Sequence, residues 1–218
     1  MKTKAERISA FRNIDLYPVI SSEFTAGRPV LDILKAVADG GARIVQLREK
    51  NLPLPQLWRL AEQYRDLTSR YEMLLMIDDH ADIALAVGAD GVHLGQDDLP
   101  LAAAVKLHSE LLIGHSTHNR EEAAAAIRGG ADCINIGPIF PTGTKNVSYP
   151  VVGMDNLKQI AAAVTVPFSV MGGIKAGHIP ALLRAGASRI AMVTGITQAE
   201  DVTARVRALR ALWLDHAR

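Results

Sequence analysis

The chain has 218 residues, of which 49% are apolar and 22% are charged, the ordinary composition of a globular protein. This length supports one domain with a sizeable core, so we expect residues 1–218 to form a single domain. The net charge is +1, which provides no global field to attract nucleic acid or an anionic membrane.

The cysteine content and the start of the chain narrow the expected location. Cys133 is the single cysteine, which excludes an internal disulfide framework and a cysteine-rich zinc site. The first residues, Met1–Arg7, lead into no apolar run of signal-peptide length, and no uncharged apolar stretch is long enough for a transmembrane helix. We therefore expect a cytoplasmic protein with no membrane partner.

Short apolar, β-branched runs bounded by glycine or polar turns predict eight strands. The runs are Leu16–Ser21, Arg43–Arg48, Met73–Asp78, Gly91–Leu94, Leu111–Ser116, Asp132–Gly137, Pro167–Met171 and Arg189–Val193. Successive strands start 18 to 35 residues apart, which leaves room for a crossover helix each time.

Apolar residues at helical spacing predict helices between these runs. The clearest are Pro53–Arg70, Arg120–Arg128, Ile179–Ala185 and Asp201–His216, with Ala5–Arg12 as a short extra helix before the first strand. Glycine followed by alanine precedes four of the strands, a weak internal repeat of a βα unit. Together these patterns predict an α/β fold, a closed (β/α)8 TIM barrel, with an open doubly wound sheet as the alternative.

The end of the second predicted strand carries the first candidate site. Strand alternation places Gln46, Arg48 and Lys50 on one face. Functional sites of (β/α)8 barrels lie at the carboxyl ends of the strands, so an inward-pointing arginine and lysine here would face an anion. The alternative is a solvated loop that happens to contain two basic residues.

Carboxylates follow the third and fourth predicted strands. Asp78 and Asp79 end one strand, and Asp97 and Asp98 follow the other, with no obvious basic neighbours between them. Clustered carboxylates raise each other's pKa unless a cation joins them, and oxygen ligands beside a phosphate are typical of Mg²⁺. Asp79 and Asp98 are therefore predicted metal ligands, the alternative being that they cap the helices that follow.

Later strand ends offer hydroxyl groups and glycines. Ser116 lies at the tip of the fifth strand, whereas the residues directly after it, Thr117–Asn119, have the pattern of a helix cap. Gly172, Gly173 and Thr194 end the last two strands, where this fold usually binds phosphate. The barrel mouth therefore holds two anion-binding groups, which predicts two small phosphorylated ligands or one long one.

The longest segment without a predicted element is Pro138–Gly153. Loops of this length in compact barrels are usually functional. It contains Pro141-Thr142-Gly143-Thr144-Lys145, in which two hydroxyls, a glycine and a lysine are suited to bind an anion.

Seven motifs, in this order, resemble those of the thiamine-phosphate synthase (thiamine-phosphate pyrophosphorylase) family. They are Gln46-Leu47-Arg48-Glu49-Lys50, Asp78-Asp79, Gly91–Asp98, Gly114–His118, Gly137–Lys145, Gly172-Gly173-Ile174 and Ile196–Asp201. The resemblance extends from about Leu16 to Asp201, nearly the whole chain. The most specific blocks are Gln-x-Arg-x-Lys, His-x-Gly-Gln-x-Asp and Thr-x-Thr-Lys.

The resemblance implies a transferase of thiamine biosynthesis that joins hydroxymethylpyrimidine diphosphate to a thiazole phosphate and releases diphosphate. The implied pyrimidine-diphosphate ligands are Gln46, Arg48, Glu49, Lys50, Asp78, Ser116 and Lys145, of which Arg48, Lys50, Ser116 and Lys145 would be catalytic. The implied thiazole-phosphate ligands are Thr142, Thr144, Gly173, Val193 and Thr194, and the implied Mg²⁺ ligands are Asp79 and Asp98. The implied reaction is dissociative, because the C–O bond breaks before the thiazole nitrogen attacks the pyrimidine-stabilised cation.

Two residues depart from the family pattern. Asp78 stands where asparagine is common, which adds a negative charge beside the metal, and Thr194 stands where serine is common. Two other functions are alternatives: a thiazole tautomerase on the same barrel, for which His118 could transfer protons, and a non-catalytic carrier of thiamine precursors. The complete diphosphate and metal set argues against both. The oligomeric state stays open, a homo-oligomer being one alternative.

Overall fold

The computed structural model describes residues 2–107, 110–143 and 149–217. Within them, parallel strands pair in chain order and the last strand pairs with the first, so the sheet closes into an eight-stranded barrel. The strands are β1 Leu16–Ile20, β2 Ile44–Leu47, β3 Leu74–Asp78, β4 Gly91–Leu94, β5 Leu112–Thr117, β6 Cys133–Ile136, β7 Phe168–Val170 and β8 Ile190–Met192. The predicted (β/α)8 barrel is confirmed, and the open sheet is excluded.

Helices connect the strands around the outside of the barrel. They are α1 Lys4–Arg12, α2 Val30–Asp39, α3 Leu54–Arg70, α4 Ala81–Ala86, α5 Leu101–Leu107, α6 Arg120–Arg128, α7 Gly153–Ala163, α8 Ile179–Arg184, α9 Thr194–Thr197 and α10 Val202–His216. Short 3-10 turns at Ser22–Phe24 and Ala176–His178 lie in the connections after β1 and β7. The five helices predicted from the sequence agree with these bounds to within one residue. No described helix is long and apolar enough to cross a membrane.

Glycines in the left-handed conformation make the four turns that the sequence repeat predicts. Gly41, Gly130 and Gly186 have φ values of 90°, 90° and 92°, and Gly88 has a φ of 62°. A residue with a Cβ is strained in this region, whereas glycine adopts it freely. These turns let each helix end and the chain re-enter the barrel within a few residues.

The core has two layers. The outer faces of the strands pack against the helices, and a second, smaller cluster fills the inside of the barrel. The inner cluster contains Phe11, Ile14, Tyr17, Ile44, Leu74, Met76, Leu112, Cys133 and Ala191. Because Phe11 belongs to α1, this helix covers the amino-terminal end of the barrel.

Hydrogen bonds hold α1 in that position. Arg189, the residue before β8, donates to the carbonyl oxygens of Phe11 at 2.9 Å and Arg12 at 2.7 Å. The ring of Phe11 meets the ring of Tyr17 edge to face, with 5.9 Å between centroids. One end of the barrel is thus filled with apolar side chains, and the other end is left for polar ones.

Candidate active site

A polar pocket lies inside the carboxyl-terminal end of the barrel. Its lining residues are Tyr17, Gln46, Arg48, Lys50, Asp78, Asp79, His93, Gly95, Asp98, Ser116, Asn135 and Met171. Parallel pairing of β2 through β6 brings these strand ends side by side. The structure therefore unites the basic end of β2 with the carboxylates after β3 and β4, which the sequence analysis treated as separate candidates.

Asp78 is the centre of the contacts in this pocket. Its carboxylate accepts a hydrogen bond from Gln46 Nε2 at 3.1 Å and forms ion pairs with Arg48 Nε at 3.5 Å and Lys50 Nζ at 3.1 Å. The expectation that these carboxylates lack basic neighbours is wrong, because the cations come from the adjacent strand rather than from nearby sequence. Asp78 thus positions both cations that are predicted to bind an anion.

Asp79 has a left-handed backbone with a φ of 61°. Aspartate tolerates this conformation better than most residues, and such outliers cluster at functional sites. Its amide donates to the carbonyl of His93 at 2.9 Å, and its carboxylate contacts the Lys50 amine. His80, not Asp79, is the N-cap residue of α4, so the alternative that Asp79 caps this helix is wrong.

The environment of Asp98 suits a bound cation. Burial raises the pKa of the Asp98 carboxyl, and the neighbouring Asp79 carboxylate raises it further, although the Gly95 amide opposes this by donating at 2.6 Å. Burial lowers the pKa of Lys50, but the Asp78 and Asp79 carboxylates outweigh it, so that the net pKa is raised and the amine stays charged.

The residues present fit Mg²⁺. The Lys50 ammonium already lies against Asp79, which shows that this position attracts positive charge. Within the described residues, no group of three or more His, Cys, Asp or Glu side chains is arranged to hold a metal ion by itself. Mg²⁺ commonly uses only one or two protein carboxylates and takes its other ligands from water and substrate phosphates. Asp79 and Asp98 provide that number.

Ser116 lies at the edge of the pocket with a histidine partner. His93 Nε2 is 2.9 Å from Ser116 Oγ, and Gln96 Nε2 donates to the Ser116 carbonyl at 2.6 Å. No role is predicted for His93 from the sequence, because its motif shows neither the direction nor the partner of the ring. The strand pairing of Leu94 with His115 is what brings β4 and β5 into this contact.

Tyr17 and Asn135 also line the pocket and were missed by the sequence analysis. Tyr17 is 2% exposed, and its hydroxyl has no hydrogen-bond partner among the described residues. Asn135 donates from Nδ2 to Ser169 Oγ at 2.8 Å. An unpaired hydroxyl beside a pocket is expected to bind a ligand or water, because leaving it unsatisfied costs about 1–3 kcal/mol.

Glu49 points away from this pocket. Its carboxylate accepts hydrogen bonds from the amide and the hydroxyl of Ser22, both at 2.7 Å. Strand alternation explains the difference from its neighbours Arg48 and Lys50. A direct contact of Glu49 with the pyrimidine diphosphate therefore stays a prediction that the side-chain direction does not favour.

A second cavity, the glycine cleft, opens at the ends of β7 and β8. With a volume of about 580 Å³, it is within the usual size range of small-molecule sites. It is lined by Phe24, Pro141, Thr142, Gly143, Met171, Gly172, Gly173, Ile174, Lys175, Ala191, Met192, Val193, Thr194, Gly195 and Gln198. All the predicted thiazole-phosphate residues that the structure describes line it. Thr144 lies outside the described residues, as does the predicted catalytic Lys145.

The two glycines after β7 allow a close approach of the chain. A Cβ at Gly173 would lie 2.4 Å from the Pro141 carbonyl oxygen, and one at Gly172 would lie 2.5 Å from Pro138 Cα. Phe140 N donates to Gly172 O at 3.0 Å. From the sequence, these glycines are expected to let a ligand approach the backbone; in the structure they also pack against the segment that carries Thr142.

A third cavity, the bridging groove, connects the other two. It shares Arg48, Lys50, Gly95, Asp98 and Ser116 with the polar pocket, and Phe24 and Gly143 with the glycine cleft. His118 lines the groove with its ring stacked on Tyr149 at 3.6 Å, and its Nδ1 is 2.7 Å from Glu122. Asn119 caps α6 by accepting from Glu122 N at 2.8 Å, as predicted.

A closed (β/α)8 barrel with adjoining polar cavities at the carboxyl ends of its strands, one of them at the ends of β7 and β8 where this fold usually binds phosphate, has the architecture of phosphate-binding barrel enzymes. The family model for thiamine monophosphate synthase matches residues 16–196 of this chain. The chain therefore belongs to the thiamine monophosphate synthase family, and it is an enzyme of the transferase class.

Two curated relatives and one solved structure support this family assignment. The thiamine-phosphate synthase of Chloroflexus aurantiacus is 44% identical over 197 residues, which are 90% of this chain and 91% of that protein. The thiamine-phosphate synthase of Caldicellulosiruptor saccharolyticus is 35% identical over 95% of this chain and 94% of that protein. The solved thiamine phosphate pyrophosphorylase of Pyrococcus furiosus superposes with a TM-score of 0.87 at 33% identity, covering 95% of this chain and 99% of that one.

Proposed function

We propose that this enzyme joins a hydroxymethylpyrimidine diphosphate to a thiazole phosphate and releases diphosphate, forming thiamine phosphate. The observation that supports the proposal is the pair of cavities at one barrel mouth, the polar pocket and the glycine cleft, each of which shares lining residues with the bridging groove. Two phosphorylated molecules bound in these sites would meet in the groove. This arrangement supplies proximity, which is the main requirement for joining two substrates.

The polar pocket is the proposed site of the pyrimidine diphosphate. Gln46 and Asp78 offer a donor and an acceptor deep in the barrel, where the ring would bind. Arg48, Lys50 and Ser116 also line the bridging groove, where the diphosphate would lie. Lys145 is proposed to add a further positive charge to the diphosphate, on the resemblance alone.

The glycine cleft is the proposed site of the thiazole phosphate. Thr142 and Thr194 provide hydroxyl groups, and Gly173 and Val193 also line the cleft. Such neutral donors bind a phosphate at the usual position of this fold. Thr144 is proposed to be an additional ligand of the thiazole phosphate.

Charge stabilisation of the leaving group is the proposed source of catalysis. Cleavage of the C–O bond places negative charge on the departing diphosphate, and Arg48 and Lys50 are positioned to stabilise it. Asp79 and Asp98 would hold Mg²⁺, which when bound supplies further positive charge to the diphosphate. The thiazole nitrogen then forms the C–N bond, and no protein nucleophile is required.

A single assay tests the proposal. Both substrates are incubated with the enzyme and Mg²⁺, and the release of diphosphate and the formation of thiamine phosphate are measured together. Equal amounts of the two products are expected. Isomerisation of a thiazole substrate without diphosphate release would instead identify a tautomerase, with His118 and Glu122 as the proton-transfer pair. A cytoplasmic location and the absence of a nucleic-acid partner stay predictions from the sequence, which leaves the oligomeric state open.

A further inference from the structure

The connection from β1 to α2, residues 21–29, contains none of the residues proposed to bind the two substrates. Its 3-10 turn, Ser22–Phe24, places Phe24 in the lining of both the glycine cleft and the bridging groove. Of the described residues, only Gly143 is also common to the two linings. Phe24 is therefore an apolar side chain at the boundary between two compartments, the glycine cleft and the bridging groove.

The turn is held on one side by the segment after β2, which carries the predicted anion-binding residues Arg48 and Lys50. Glu49 is 6% exposed, and its carboxylate accepts from both the amide and the hydroxyl of Ser22. Hydrogen bonds to a carboxylate are stronger than those between neutral groups, and two of them restrict the orientation of the turn. Since Glu49 stands between Arg48 and Lys50, the turn is coupled to the strand that carries the two cations.

The turn is held on the other side by the helix of the glycine cleft. Thr197 is fully buried in α9, and its hydroxyl donates to the Phe24 carbonyl at 2.6 Å. Arg28, farther along the connection, donates to the carbonyls of Thr197 at 2.7 Å and Glu200 at 3.2 Å. The turn is thus hydrogen-bonded to α9 through the Phe24 carbonyl and to the segment after β2 through Ser22.

We propose that Phe24 determines which nucleophile captures the electrophilic carbon, by keeping water out of the boundary between the compartments. The inference rests on the proposed function. After C–O cleavage the diphosphate leaves with the bonding electron pair. Attack by the thiazole nitrogen forms the C–N bond, whereas attack by water forms a C–O bond, releases a proton to solvent and yields the pyrimidine alcohol. The bridging groove on one side of Phe24 is lined by charged side chains that attract water, among them Arg48, Lys50 and Asp98, so an apolar side chain at the boundary excludes water where the two paths diverge.

The coupling ratio, thiamine phosphate formed per diphosphate released, is the decisive measurement. Phe24→Ala opens room for water at the boundary, and the ratio is expected to fall about tenfold, the effect of a lost apolar contact in a pocket. Diphosphate release should continue. Phe24→Leu keeps an apolar side chain and should couple nearly as well as the wild type.

Isotopically labelled water separates capture of the carbon from attack on phosphorus. The proposal expects the label in the pyrimidine alcohol made by Phe24→Ala, and label in the released phosphates overturns it. An unchanged coupling ratio in Phe24→Ala, with thermal unfolding showing a folded protein, also overturns it. If the wild-type enzyme releases no diphosphate from its substrates, the proposed function itself fails, and this inference fails with it.

Glu49→Gln tests the positioning of the turn independently of the ring. The substitution keeps the shape of the side chain but removes its charge, so the coupling ratio should fall while the KM for the pyrimidine diphosphate stays unchanged. Glu62→Gln, on the exposed face of α3, is the matched control. A raised KM with full coupling would instead place Glu49 in contact with the diphosphate and contradict the positioning role.

Discussion

Asp98 lies where the polar pocket meets the bridging groove, with its carboxylate next to that of Asp79. If these two residues hold Mg²⁺, Asp98→Ala should lower turnover by about a hundredfold, the scale expected when stabilisation of a developing charge is lost. The midpoint of thermal unfolding should change little, because removing one of two adjacent carboxylates also relieves their repulsion. Asp155→Ala, at a 94% exposed carboxylate on α7, serves as the control. Turnover equal to that of the control would exclude Asp98 from the metal site.

Asp78 has a different role from Asp79 and Asp98, because it forms ion pairs with Arg48 and Lys50. Asp78→Asn keeps an oxygen that can accept from Gln46 but removes the attraction for the two cations. We expect turnover within about tenfold of the wild type and a loss of about 1 kcal/mol in the free energy of unfolding, the scale of a partly exposed ion pair. Steady-state kinetics and chemical denaturation measure both. A nearly inactive Asp78→Asn would show that the carboxylate itself is required.

Lys145 offers a test of the two-site arrangement. A charge-assisted contact made mainly in the transition state is worth on the order of 3 kcal/mol, or about a hundredfold in rate. Lys145→Ala should reduce turnover by that amount and leave the affinity for the thiazole phosphate nearly unchanged. Titration of each substrate against the variant separates the effects. A defect limited to thiazole-phosphate affinity would assign Lys145 to the other site.

At the scale of the elements, the connections after β6 and β7 act as one unit, because Gly172 and Gly173 contact Pro138–Pro141. Gly173→Ala would force a left-handed alanine whose Cβ overlaps the Pro141 carbonyl at 2.4 Å. The expected cost is about 1–3 kcal/mol of local strain, seen as a raised KM for the thiazole phosphate. Gly177→Ala is the matched control, since a Cβ there has no neighbour within 4 Å. Equal KM values for the two variants would show that the connection is not strained.

The elements themselves could be predicted from the sequence because each has a local cause. The strands are apolar runs, and the turns before four of them need glycine for a positive φ, as Gly41 and Gly186 show. The contacts of Asp78 could not be predicted, since they depend on the pairing of Gln46 with Met76 between β2 and β3. The side-chain hydrogen bond between Ser116 and His93 likewise depends on the register of β4 with β5.

At the scale of the whole molecule, the barrel has an apolar end and a reactive end. Phe11 is 1% exposed and fills the apolar end, far along each strand from the carboxyl termini that form the site. Phe11→Ala should therefore destabilise the fold by about 3–5 kcal/mol, the usual cost of removing a buried phenylalanine. Turnover at temperatures where the variant is folded should stay near that of the wild type. Thermal unfolding and kinetics distinguish this from Leu214→Ala, at a 52% exposed position on α10, which should change neither.

This separation also explains why Tyr17 was missed. Its hydroxyl lies at the polar pocket, whereas its ring belongs to the apolar cluster under α1. Alternation along β1 identifies the residue as inward-facing but does not show how deep in the barrel it lies. That depth is set by closure of the barrel, in which Tyr17 pairs with Ala191 of β8.

The pairing of the first strand with the last has a consequence for synthesis of the protein. Residues Leu16–Pro18 of β1 pair with Ile190–Met192 of β8, and α1 is held by Arg189. While the ribosome is still adding the middle of the chain, one edge of β1 has no partner, and α1 has no guanidinium to hold it. Contacts between residues so distant in sequence are slow to form, and unpaired edges promote association between chains. The nascent protein therefore completes its fold only after nearly all of the chain has been released from the exit tunnel.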